Sequence, residues 1–195
     1  TPDAGTGRVR VAPVLVTSRV TGYQRRAVGS HDNLGTTRLE LPPQELETRA
    51  VVFTWDDDDR RSRAALDAGC DAATLPGALH AAEHGAIGML GLFGLCDRWD
   101  VGGLSTADHP DTGGPTVLIH DGYPGGAGIA ELAERVAEEH LAATRTAIAE
   151  CTCEAGCPSC VQSPKCGNLN EPLDKAGALI AIDALQHLLV VRRLR

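Results

Sequence analysis

The chain has 195 residues, 43% hydrophobic and 23% charged, which is enough apolar material for one domain with a real core or for two small ones and is unlike a disordered chain. Aromatics are only 3%, so Ala, Leu, Val and Gly must build the core, and little remains for stacking on nucleic-acid bases. The formal net charge of -8 argues against a free-standing basic DNA-binding module, and any nucleic-acid contact must be local: residues 1–50 hold seven Arg against five acids, residues 51–150 six Arg against seventeen acids, and residues 151–195 five basic against four acidic groups.

In chain order, residues 8–20 are β-branched and partly alternating and predict a strand, with Pro13 pushing it to an edge or a bulge. A turn and second strand follow at Thr21 to Arg26, then strands at Leu39 to Leu41 and Ala50 to Trp55, giving an antiparallel β unit over residues 8–55. Asp56 to Asp59 is an acidic run that reads as a solvated loop or helix start, with a divalent-cation site as the minority reading. Arg60 to Ala68 predicts a short helix stopped by Gly69. Pro76 opens a longer helix over residues 77–93. Residues 97–115, rich in Gly, Asp and Pro, read as loop. Thr116 to His120 is a short buried strand. A glycine-rich turn, Gly125 to Gly128, leads into a helix over about 129–149 whose apolar stripe is Ile129, Leu132, Val136, Ala143 and Ile148, with Glu131 and Arg135 as an i,i+4 pair. Asn170-Glu171-Pro172 looks like the start of a final helix to about Val191, with Ala176, Leu179, Ile180, Leu185, Leu188 and Leu189 buried. The fold class is α+β, divided as an α+β accessory unit at 1–125 and a helical, cysteine-rich unit at 126–195, the two packed as one. The apolar run Ala86 to Cys96 is too short to span a membrane, and no secretory signal precedes Arg8. The start at Thr1 reads as that of a fragment or a processed piece.

Five of the seven cysteines lie between Cys151 and Cys166, and the odd total with this clustering favours a metal site in a reducing cytoplasm over disulfides. Zinc takes four ligands in a tetrahedron, and a closed thiolate site is structural. Cys157-Pro-Ser-Cys160 can turn both sulfurs to one ion, with Gly156 and Pro158 supplying the turn. Cys151 and Cys153 close the other side from the end of the preceding helix. Cys166 is the spare, or displaces Cys151. Lys165 and the terminal arginines offset the thiolate charge. Cys70 and Cys96 read as small core residues.

Three further motifs compete. His80-Ala-Ala-Glu83-His84 matches H-x-x-E-H, which on a helix puts two histidines and a carboxylate on one face, as a metal-dependent hydrolase needs; Asp97, Asp100 or Asp121 would supply the third ligand. The bland alternative is a hydrogen-bonded polar patch. Asp111-Thr112-Gly113 matches half of an aspartic-protease pair, and one copy cannot do that chemistry. The Gly125 to Gly128 turn opens a helix and so offers N–H groups to an anion such as a DNA phosphate, although Asp121 lies close by in sequence. Arg25, Arg26 and Lys165 are the candidate nucleic-acid contacts, with Arg8, Arg10, Arg19, Arg192, Arg193 and Arg195 as wider candidates.

The segment Glu154-Ala-Gly-Cys157-Pro-Ser-Cys160-Val-Gln-Ser-Pro-Lys-Cys166-Gly-Asn-Leu-Asn170-Glu-Pro-Leu-Asp-Lys175 resembles the zinc-binding C-terminal region of MrfA-type helicases, superfamily-two DNA helicases related to the Hrq helicases. So do Leu79-His80-Ala-Ala-Glu83-His84, Cys96-Asp97-Arg98-Trp99-Asp100-Val-Gly-Gly103-Leu-Ser105 and Ile119-His-Asp121-Gly122-Tyr-Pro-Gly125-Gly126-Ala-Gly128, so that the likeness covers roughly residues 38–190. It implies a non-catalytic accessory region of an ATP-dependent 3′→5′ DNA helicase of DNA repair, packed on upstream motor domains. It further implies help in holding single-stranded or forked DNA, and structural zinc on Cys151, Cys153, Cys157 and Cys160. The chain carries neither a G-x-x-x-x-G-K-[ST] phosphate loop nor an Asp-Glu-x-His motif, so ATP hydrolysis would belong to a motor upstream of Thr1. A zinc-stabilised protein-interaction module without DNA contact is the remaining alternative.

Overall fold

The computed structural model describes residues 9–30, 32–55 and 61–193, the side chains of 61, 62 and 187–193 excepted. The acidic run Asp56 to Asp59, Arg8, Arg195 and the side chains of Leu188, Leu189, Arg192 and Arg193 lie outside what is described.

A four-stranded antiparallel sheet has the order β1-β4-β6-β5, built from β1 (Val9–Ser18), β4 (Gln44–Thr54), β5 (Val101–His109) and β6 (Gly114–Asp121). β2 (Gly22–Arg26) and β3 (Asn33–Arg38) form a separate two-stranded ribbon. β1 is an edge strand, where a proline costs no central ladder bond; Pro13 sits opposite Arg49. Successive residues Ala50, Val51, Val52 and Phe53 of β4 are all buried, so this stretch is covered on both faces. The helices are α1 (Arg61–Gly69), α2 (Leu75–Leu90), α3 (Ile129–Arg135), α4 (Ala137–Glu150) and α5 (Lys175–Arg193).

α2 is the hub. Twelve of its sixteen residues are buried, and it touches α4, α5, β5 and β6. A helix apolar on nearly every side belongs inside, and its many Gly and Ala residues let the neighbouring backbones approach closely. Asp71 prepares its start: the carboxylate accepts the N–H groups of Ala73 and Thr74 at 2.9 and 2.8 Å, turning the chain before Pro76 occupies the first turn. One core joins β4, α1, α2, β5, β6, α3, α4, the cysteine segment and α5, with Phe53, Trp55, Leu66, Leu79, Leu90, Ile119, Ile148, Ile182 and Leu185 among its largest wholly buried side chains.

Five expectations need correction. Residues 101–109 are a strand, not loop: β5 pairs with β6, and Asp111-Thr112-Gly113 is their hairpin turn, with the N–H groups of Thr112 and Gly113 on the carbonyl of His109. Gly103 is required there, since a Cβ would fall on Glu83 Oε1 and Ile87. The strand expected at Leu39 to Leu41 lies earlier, as β3. The helix over 129–149 is broken at Val136 (φ -104°, ψ 19°). Glu131 pairs with Arg49 of β4 at 3.0 Å rather than standing with Arg135. The last helix starts at Lys175, capped by Asp174, whose carboxylate accepts the Gly177 N–H at 2.9 Å; its buried stripe is Ala178, Ala181, Ile182 and Leu185, and Ala176 is exposed.

Candidate metal centre

α4 ends at Glu150, and Cys151 leaves it in extended conformation. Gly156, at φ 116°, turns the chain back, and the Cys157 carbonyl accepts the N–H groups of Cys160, Val161 and Gln162. This turn faces both sulfurs of Cys157-Pro-Ser-Cys160 one way and brings them to Cys151 and Cys153. The separations are 3.5 Å for Cys151–Cys153, Cys151–Cys157 and Cys153–Cys160, and 3.8 Å for Cys157–Cys160.

Those distances identify the arrangement. A disulfide would need about 2.05 Å. Four thiolates at about 2.3 Å from one zinc stand about 3.8 Å apart, the edge of that tetrahedron. The donor set therefore fits zinc, and the protein carries a structural zinc site. A dication also suits the electrostatics of this donor set. The Ser159 N–H and then the Cys151 thiol pull the Cys157 thiol down to about 7, while burial pushes Cys160 up to about 12. Four thiolates this close would repel one another, and a dication at their centre would offset that charge.

The surroundings hold the ligand loop in place. The Cys160 sulfur accepts the N–H of Cys157 at 3.3 Å. Lys175, in the first turn of α5, donates through Nζ to the carbonyls of Cys151 and Cys153, both at 2.6 Å. Among the described residues the cation at the cluster is Lys175. Lys165, expected there, donates instead to the carbonyls of Arg98 and Val101, both at 2.6 Å, with its ammonium 5.3 Å from the Trp99 ring. Burial lowers its pKa. Lys175 closes the segment that carries the family resemblance, but its spacing from the cysteines does not mark it as their partner.

Cys166 lies apart from the four. Its sulfur is 3.4 Å from Nε2 of His80 and accepts the Asn170 N–H at 3.3 Å. His80, Glu83 and His84 do share one face of α2, and all three line a cleft of about 500 Å³ with Cys166, Lys165 and His120. Burial pushes the Glu83 carboxyl up to about 7, against a hydrogen bond from Ser105 that lowers it. The three aspartates expected as a third ligand are committed elsewhere. Asp97 accepts the Trp99 N–H, Asp100 accepts the Tyr123 hydroxyl, and Asp121, wholly buried, accepts the N–H groups of Ala127, Ile129 and Ala130. Asp121 thereby takes three of the N–H groups that the Gly125–Gly128 turn and the start of α3 would offer an anion. Arg25 and Arg26 are exposed on the β2–β3 ribbon, with Arg26 donating to the side-chain Oε1 of Gln24 at 3.4 Å. Among the described residues no helix is long and apolar enough to cross a membrane.

Comparison with known proteins agrees with this site. Residues 82–161 match the family described as the MrfA Zn-binding domain, a span that includes all four clustered cysteines and stops before Cys166. The chain is 34% identical over 110 residues to protein MJ1572.1 of Methanocaldococcus jannaschii, covering 55% of this chain and 98% of that one. It is 30% identical over 152 residues to an ATP-dependent helicase, YprA, of Bacillus subtilis (strain 168), covering 76% of this chain and 19% of the helicase. Among solved structures it resembles the DUF1998 helicase MrfA bound to DNA, with TM-score 0.61 and 26% identity, over 91% of this chain and 22% of the helicase. The same helicase bound to DNA and AMPPNP gives TM-score 0.51 at 23% identity, over 89% of this chain and 21% of that one, a likeness of fold. The chain thus spans about a fifth of the helicases it matches and nearly all of the archaeal protein.

Proposed function

We propose a function from one premise: the chain belongs to the family of the MrfA Zn-binding domain. It is the non-catalytic accessory region of an ATP-dependent 3′→5′ DNA helicase of DNA repair, working in the cytoplasm beside the helicase motor domains. Its four-cysteine zinc, held by Cys151, Cys153, Cys157 and Cys160, fixes the end of α4 against the start of α5, and the rest of the region helps to hold single-stranded or forked DNA. The observation that carries this reading is the tetrahedral gathering of four sulfurs inside the segment that aligns with the helicase family.

The β2–β3 ribbon supports the two partners. It carries exposed Arg25, Arg26 and Arg38 beside exposed Tyr23 and Leu34. A two-stranded ribbon is marginal alone, so its apolar side chains suit a motor-domain surface and its arginines a phosphate backbone. Lys165 drops out of the DNA contacts because its ammonium is already bonded to two carbonyls.

The test is fluorescence anisotropy of a labelled single strand and a labelled fork with the full chain across a salt series. Binding should weaken steadily with salt. Replacing Arg25 and Arg26 together by Ala should flatten the log–log slope on single-stranded DNA by roughly 0.7 for each phosphate left unneutralised. Absence of binding at the lowest salt, or an unchanged slope in the double variant, defeats the assignment of DNA contact to this surface and leaves a protein-interaction module.

A further inference from the structure

We propose that His80, His84 and Cys166 form a second metal site, separate from the four-cysteine cluster, which takes a zinc-class divalent ion and keeps one coordination position open. Three observations lead to it.

The first is the grouping. A ring nitrogen from each histidine and the Cys166 sulfur all lie within 4.8 Å of one another, although Cys166 is 86 residues from His80. Nitrogen and sulfur bound to one zinc at about 2.05 and 2.3 Å in a tetrahedron stand about 3.6 Å apart. Nε2 of His80 and Sγ of Cys166 are 3.4 Å apart.

The second is the tautomer. Nδ1 of His80 lies 2.8 Å from the Pro172 carbonyl, and Nδ1 of His84 lies 2.8 Å from the Val161 carbonyl. A carbonyl only accepts, so each Nδ1 carries the proton and each neutral ring keeps its lone pair on Nε2. Backbone carbonyls behind the rings orient both donors in the way metal-binding histidines are held. A hydrogen bond between Cys166 and His80 accounts for that one pair, but not for the second oriented ring beside it.

The third is the way Cys166 is presented. Asn170 ties its loop closed, accepting the Ser163 N–H at 2.7 Å and donating to the Ser163 carbonyl at 3.1 Å. Leu169 and Asn170 sit at φ 57° and 63°, a left-handed conformation unfavourable for leucine that the surrounding bonds must maintain. The Asn170 N–H then points at the Cys166 sulfur, as the Cys157 N–H points at Cys160 in the four-cysteine site. The two sulfurs are thus held by the same kind of backbone contact, one in each cysteine loop.

Two imidazoles and one thiolate suit a borderline-soft ion such as zinc. Three protein ligands beside a cleft of about 500 Å³ leave the fourth position to water or a small ligand, unlike the closed cluster. The inference concerns metal binding alone and does not depend on DNA contact.

The experiment is native mass spectrometry of the full chain after zinc is supplied in excess and free ion removed. Wild type should carry two zinc ions, and Cys166→Ala and His80→Gln one each. Retention of the four-cysteine ion, with an unchanged far-UV circular dichroism spectrum, shows that the variants are folded. Cobalt added to wild type bearing one zinc gives a second readout: its visible bands should include sulfur-to-cobalt charge transfer, absent in Cys166→Ala. One zinc per wild-type chain with no cobalt bands, or a second zinc that persists in both variants, overturns the proposal.

Discussion

His84 donates through Nδ1 to the carbonyl of Val161 at 2.8 Å, and Val161 directly follows Cys160. The central helix is therefore tied to the zinc-binding turn through one bond in a dry place: Val161 is wholly buried and His84 is 6% exposed. His84→Leu keeps apolar bulk but strands that carbonyl. We expect a loss of about 1–3 kcal/mol in stability to urea, the desolvation cost of a buried unpaired acceptor. An unchanged midpoint would separate the helix from the cluster energetically.

Lys175 makes a different prediction, because it touches carbonyls of the ligand loop and not the sulfurs. Lys175→Met preserves the stem and removes two hydrogen bonds to Cys151 and Cys153. Removing such outer partners weakens metal sites by roughly 10–100-fold. Competition with a chromophoric chelator measures it, and Lys165→Met, whose ammonium is bonded elsewhere, should leave zinc affinity at the four cysteines unchanged.

Asp121 holds three backbone N–H groups at the entry to α3 while itself fully buried. Asp121→Ala orphans all three, and we expect about 3 kcal/mol of destabilisation in urea unfolding. Asp121→Asn, which retains an acceptor oxygen, should recover part of it. Equal effects of the two variants would contradict a capping role.

His140 sets a pH dependence away from either metal cluster. It is wholly buried, its Nε2 donates to the Ala86 carbonyl at 2.7 Å, and burial lowers its pKa below 6.5. The unfolded chain takes a proton on this residue near pH 6.5, and the folded chain does so only at lower pH. Stability from His140 is therefore complete above 6.5 and falls as pH drops towards the folded value, by up to about 1.4 kcal/mol per pH unit. Urea midpoints of wild type and His140→Gln between pH 8 and 5 should converge towards the acid end. Parallel curves would show that another group carries the dependence.

Local signals that coincide with tertiary demand were legible in the sequence. Cys157-Pro-Ser-Cys160 is a compact turn whatever surrounds it, so its grouping followed from spacing, and Cys151 and Cys153 lay near enough to join it. Pro76 and the alanine-rich run after it marked α2. The signal failed where distant partners decide. Gly102 and Gly103 read as loop, yet they sit in β5 because His120 and Glu83 press on positions where a side chain will not fit. Val136 belongs to a continuous apolar stripe, and nothing in that stripe announces the break between α3 and α4. Pro172 suggested a helix start two residues before the true cap, Asp174. Cys166 looked like a spare ligand because its neighbour His80 comes from another part of the chain.

The most direct test of the central claim is zinc K-edge X-ray absorption on the Cys166→Ala chain carrying one zinc. A closed site on Cys151, Cys153, Cys157 and Cys160 predicts a single shell of four sulfurs at about 2.3 Å with no imidazole scattering. A shell of mixed nitrogen and sulfur, or of fewer than four sulfurs, would contradict it.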